Sequence, residues 1–133
     1  MAQVRYNLGN VGQATGNYSY DEIEIGTWVN GKPIYRKVYN IDVSAITTGG
    51  LNVIESNSVV DMLVNSQSII EYQFNGYTYT YYVNGVITDT TTRLNSYKRD
   101  SDIVFYIGSG FSNIQKLLFV VEYTKTTDIA TIP

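Results

Sequence analysis

Residues 18–43 read YSYDEIEIGTWVNGKPIYRKVYNIDV, and this stretch decides the fold. Ile23, Ile25, Thr27 and Val29 alternate with Glu22, Glu24, Gly26 and Trp28, which is the period of a strand with one buried face. Asn30-Gly31 then interrupts the run. Both residue types tolerate a positive φ, so the pair predicts a two-residue type I′ turn and a β-hairpin. That register places Glu24 opposite Lys37, Gly26 opposite Tyr35, Trp28 opposite Pro33 and Ile23 opposite Val38. The pairs are chemically matched: opposite charges, a ring over a glycine, a ring against a proline, and two aliphatics.

Outward from the hairpin, Lys37–Val43 continues the strand and the glycines of SAITTGG (44–50) break it. Leu51–Ile54 and Val59–Val64 are short apolar runs. Either suits a strand, and Val59–Val64 equally suits one helical turn, because so short a run carries no decisive period. Residues 69–92 form a second organised block with turn signals at Asn75-Gly76 and Asn84-Gly85, predicting a three-stranded meander. Its first turn sets Phe74 opposite Tyr77, Tyr72 opposite Tyr79 and Ile70 opposite Tyr81 on an aromatic face expected to be core. Its second turn pairs Val83 with Val86 and sets Tyr82 beside Ile87 on the polar side, as cover for a sheet edge or a contact with a neighbouring chain. Arg93–Asp102 mixes charges of both signs and reads as a solvated loop. Ile103–Ile107 is a strand. Leu117–Thr124 is apolar at nearly every position through Val121, as expected of a central strand covered on both faces.

About eight strands in two layers make an antiparallel β-sandwich of jelly-roll-like arrangement. The boundaries are an extended N-terminal arm (1–17), a sandwich domain (18–128) and a C-terminal tail (129–133) that leaves the fold. Val4, Tyr6, Leu8 and Val11 give the arm apolar residues to bury against a partner chain, and with Tyr82 they are the oligomer or anchor candidates.

Composition narrows the function. The chain of 133 residues has no cysteine and no histidine, which removes disulfides, thiolate metal sites, the commonest metal ligand and the usual general base. Its net charge of −3 gives no basic face for a phosphate backbone, so nucleic acid is not an expected partner. No apolar run approaches the length of a bilayer span, so no membrane is expected and synthesis in a cytoplasm is. Thirteen tyrosines against one tryptophan are a strand-and-turn composition.

Three sets of residues have chemistry to weigh. Glu22 and Glu24 share a strand face at about 7 Å, near the carboxyl separation of inverting glycosidases. A lysine opposite Glu24 makes a solvated structural pair the better reading, so no catalytic residue is assigned. Asp100 and Asp102 lack the oxygen spacing and glycine turn of a calcium loop, so no metal or cofactor is assigned. Trp28, Tyr35, Tyr20 and Tyr39, with Tyr18 beside them, are the ligand-binding candidates, because flat rings suit the apolar faces of sugars. The competing role of Trp28 and Tyr35 is to pack the hairpin onto the domain.

The words GTWVNGKPIYRKVY (26–39) and VEYTKTTD (121–128) resemble a pattern in C-terminal head domains of bacteriophage appendage proteins: head fibres, tail fibres and receptor-binding proteins. There a hairpin of this kind opens the domain and a strand ending in EYTKTTD closes it. The resemblance brackets the chain from about Tyr18 onward, although residues 47–113 share only the tyrosine-rich strand character. It implies a non-enzymatic virion structural protein displayed on the phage particle. The expected assembly is a homotrimer held to other virion proteins through the arm. A carbohydrate-binding module for the host cell-surface glycan is the alternative, and a glycan depolymerase the weaker one.

Overall fold

A computed structural model describes residues 18–83 and 92–132. Val4, Tyr6, Leu8 and Val11 of the arm, and the Asn84-Gly85 turn with Val86 and Ile87, lie outside the described residues. The architecture is the expected all-β sandwich, with two antiparallel sheets, eight strands and no α-helix among the described residues.

The large sheet has the order β1-β2-β8-β4-β5, from β1 (Ile23–Thr27), β2 (Pro33–Asn40), β8 (Ile114–Lys125), β4 (Val60–Phe74) and β5 (Tyr77–Val83). The small sheet is β3-β7-β6, from β3 (Gly50–Glu55), β7 (Asp102–Ile107) and β6 (Leu94–Arg99). As its unbroken apolar run predicts, β8 is the middle strand, paired with β2 on one side and β4 on the other. Leu117, Phe119, Val121 and Tyr123 of β8 face inward and meet Ile103, Phe105 and Ile107 of β7, with Phe105 and Phe119 ring centroids 4.8 Å apart.

The hairpin forms, but not in the predicted register. Trp28 N donates to Lys32 O at 2.8 Å and Gly31 N to Trp28 O at 2.9 Å, so the loop has three residues, Val29 to Gly31. Gly31 has φ 87° and Asn30 is not at positive φ, which is a turn followed by a left-handed glycine rather than a type I′ turn. Thr27 therefore faces Pro33 and Gly26 faces Ile34. An irregularity between Glu24 and Gly26 then shifts the ladder again, so Glu24 faces Tyr35 and Ile23 faces Arg36. The Glu24–Lys37 pair does not exist in this register. The loop is held from within and by groups far along the chain. Asn30 Oδ1 accepts Lys32 N, Asn30 O accepts Thr131 N and Ile132 N, and Lys32 Nζ reaches Asp61 at 2.9 Å and Lys125 O at 3.1 Å. The longer loop is thus held by groups that no local pattern reveals, and the tail turns back onto it instead of leaving the fold.

One open alternative resolves to strand, and two further expectations need correction. Val59–Val64 is no helical turn; from Val60 it is the first third of β4, a strand that continues through the polar residues Asn65 to Ser68, with irregular pairing to β8 before Asn65. Residues 93–102 contain β6 and a tight turn at Asp100 (φ 53°), and Leu94 and Asn95 at the start of β6 are buried. The strand from the hairpin stops at Asn40, because Asp42 Oδ1 accepts Ser44 N and caps a short 3-10 turn at Val43–Ala45.

Candidate functional site

The Asn75-Gly76 hairpin follows its prediction. Both turn residues have positive φ, and Phe74, Tyr72 and Ile70 pair with Tyr77, Tyr79 and Tyr81. The aromatic face is nevertheless not core. Tyr72 and Ile70 on β4 are buried, whereas Tyr77 is 68% exposed, Tyr79 36%, Tyr81 41% and Phe74 51%. Layer width is the reason. Five strands lie over three, β6 packs against β4, and β5 projects beyond the small sheet.

The result is a tyrosine ladder with a rigid backing. Tyr72 stacks on Tyr79 (centroids 5.5 Å, 23° between planes) and meets Tyr81 edge-on at 5.7 Å. Phe111 closes the buried side of Tyr72 at 5.1 Å and 90°. Burial, and then its hydrogen bond with Tyr81, pushes the Tyr72 hydroxyl up to about 12. At the hairpin tip a dip of about 210 Å³ is lined by neutral groups including Gln73, Asn75, Ser112 and Asn113. Ser112 Oγ donates to Gln73 O at 3.2 Å, tying the β7–β8 loop to the hairpin. Apolar rings beside neutral donors and acceptors can stack on a sugar face and hydrogen-bond its rim. The sequence carried the signal, an alternating YTYTYY; what it lacked was the width of the opposing layer.

The structure does not gather the sequence-derived ligand candidates into one surface. Tyr35 and Tyr39 alternate onto the inner side of β2 as half-buried pillars. The Tyr35 hydroxyl donates to Asp128 Oδ2 at 2.8 Å and Lys125 Nζ lies 4.2 Å over its ring. The Tyr39 hydroxyl donates to Glu55 Oε1 at 2.6 Å, with Lys37 Nζ 4.9 Å over its ring. Tyr20 is exposed beside Tyr18 and Val38, and Trp28 is half-buried in the hairpin loop. Tyr82, 78% exposed, lies on the opposite face from the ladder.

The carboxylate pair is split between different surroundings. Glu22 accepts the Tyr123 hydroxyl and pairs with Lys125, while Glu24 sits across from Tyr35. Tyr123 is raised by burial and then by Glu22, and Tyr39 by burial and then by Glu55. The hydrogen bond to Asp128, followed by burial, pushes Tyr35 up to about 12. All three hydroxyls act as protonated donors to carboxylates. Asp102 Oδ1 accepts Asn57 N at 3.0 Å while Asp100 occupies the β6–β7 turn. Among the described residues no three Asp or Glu side chains come together as a metal cluster.

The two words at the ends of the chain interlock. Besides Tyr35–Asp128, Arg36 of the first word pairs with Glu122 of the second at 2.8 Å, and Lys32 Nζ reaches Lys125 O. Their polar residues close the domain. Comparison with protein-family models, with curated proteins and with solved structures finds no match to this chain.

Proposed function

We propose that the chain is a non-enzymatic bacteriophage virion protein, a fibre, decoration or receptor-binding head domain displayed on the particle. In this reading it assembles as a homotrimer and is attached to other virion proteins through residues 1–17. The supporting observation is the interlock of the two words that carry the appendage resemblance. Tyr35 with Asp128 and Arg36 with Glu122 join the opening hairpin to the closing segment, so residues of the two words hold each other in place. A non-enzymatic role fits the engagement of both Glu22 carboxylate oxygens, one by the Tyr123 hydroxyl and the other by the Lys125 ammonium. Light scattering on the purified chain tests the assembly: a mass of three chains is expected, and a monomer at micromolar concentration overturns the trimer.

A second reading, a module that binds a host cell-surface glycan, is favoured by the exposed ladder of Tyr77, Tyr79 and Tyr81 on its rigid Tyr72 backing. Binding to a glycan array that disappears in Tyr79→Ser supports it. An array silent for the unaltered protein removes it.

A further inference from the structure

The outer face of the large sheet carries a groove of about 290 Å³ that the tyrosine ladder does not share. Its floor is Val38, Ile69, Leu118 and Val120, and its rims are Tyr18 at one side and Tyr82 at the other. Among the described residues no charged side chain lines it. The outward face of a sandwich sheet is ordinarily polar, so an apolar floor across β2, β8 and β4 calls for an occupant.

Chain connectivity names one. Tyr18 is the first described residue and forms a wall of the groove, with its neighbour Ser19 O accepting Val38 N at 2.9 Å. Residues 1–17 therefore join the fold at the groove itself. Within them V-R-Y-N-L (4–8) alternates, setting Val4, Tyr6 and Leu8 on one side and Arg5 and Asn7 on the other. The lengths agree: five extended residues span roughly 14–16 Å. Crossing from β2 to β5 takes three strand spacings, about 14 Å. Nine residues, the length of 9–17, reach about 30 Å at full extension, and glycine at 9, 12 and 16 permits a reversal of direction, enough to bring the segment back over the sheet.

We propose that residues 4–8 lie across the outer face of the large sheet of their own chain, with Val4, Tyr6 and Leu8 seated in the groove between Tyr18 and Tyr82. The seat does not depend on the virion reading. Any partner that takes the arm has to compete with it.

Disulfide trapping tests the seat cleanly, because the chain has no cysteine of its own. Gln67 lines the groove without forming its apolar floor, so Tyr6→Cys with Gln67→Cys is the probe pair. Mild oxidation is expected to close a bridge within one chain, read as a faster-migrating monomer on a non-reducing gel. Arg5→Cys with Gln67→Cys is expected to close several-fold more slowly. No bridge in the first pair, a bridge joining two chains, or equal rates for both pairs overturns the proposal. As a second readout, the full chain with Val4, Tyr6 and Leu8 changed to Ser is expected to bind an apolar dye severalfold more strongly at unchanged far-ultraviolet circular dichroism. Unchanged dye binding overturns the proposal as well.

Discussion

Arg36 and Glu122 stand directly opposite each other on β2 and β8, their charged groups 2.8 Å apart although 86 positions separate them in the chain. Both are largely shielded from solvent, and the Arg36 guanidinium also lies 4.5 Å over the Tyr18 ring. Replacing Glu122 by an apolar residue takes away the carboxylate that balances a largely shielded guanidinium. Glu122→Leu is expected to cost about 3 kcal/mol in urea unfolding, whereas Arg36→Met together with Glu122→Leu recovers most of that loss.

Alkaline pH tests the three tyrosine donors. Tyr35, Tyr39 and Tyr123 all have folded pKa values raised above the ordinary 10.0. A raised value means that the protonated form is favoured on folding. Its contribution is fully present below pH 10 and is lost as pH climbs through the folded values, which for Tyr35 lie at about 12. The melting temperature is expected to hold steady in neutral and mildly alkaline buffer and to fall above pH 10. Tyr123→Phe is expected to lower the neutral plateau and make the alkaline fall shallower.

Gly31 marks the point where the opening loop meets the tail. Its φ of 87° disfavours any side chain, and a Cβ there would come within 3.1 Å of Thr131 N and Cβ. Gly31→Ala is expected to cost at least ~1 kcal/mol in chemical denaturation. Gly76→Ala, also at positive φ but with open space around it, is expected to show the backbone cost alone.

The ladder predicts a contrast between adjacent rings. Tyr72→Ala removes a buried ring packed on Phe111 and is expected to cost roughly 3 kcal/mol. Tyr77→Ser, on the same face but mostly in solvent, is expected to change stability by no more than ~0.5 kcal/mol, measured by the same unfolding curve.

These contrasts mark how far the sequence can be read. Asn75-Gly76 was legible because turn chemistry and ladder agree locally, with both residues at positive φ and every pair as expected. Asn30-Gly31 is the same two letters with a different outcome, because Asp61, Lys125 and Thr131 hold Lys32 and Asn30 from a distance. Alternation likewise gives the face that Tyr77, Tyr79 and Tyr81 share, but whether that face is covered depends on the number of strands in the other layer. The polar and charged residues of β6 hid Leu94, the buried apolar residue at the start of a strand that otherwise reads as a loop. Central placement of β8 was plain from its apolar run, although the expected cover on both faces is seen only on the inner one, Leu118 and Val120 lining the outer groove.

The most direct test of the proposed role is peptide mass spectrometry of gradient-purified phage particles from cells that make this chain. The predicted result is peptides of this chain in the particle fraction, at a copy number divisible by three. A chain found only in the particle-free lysate contradicts it.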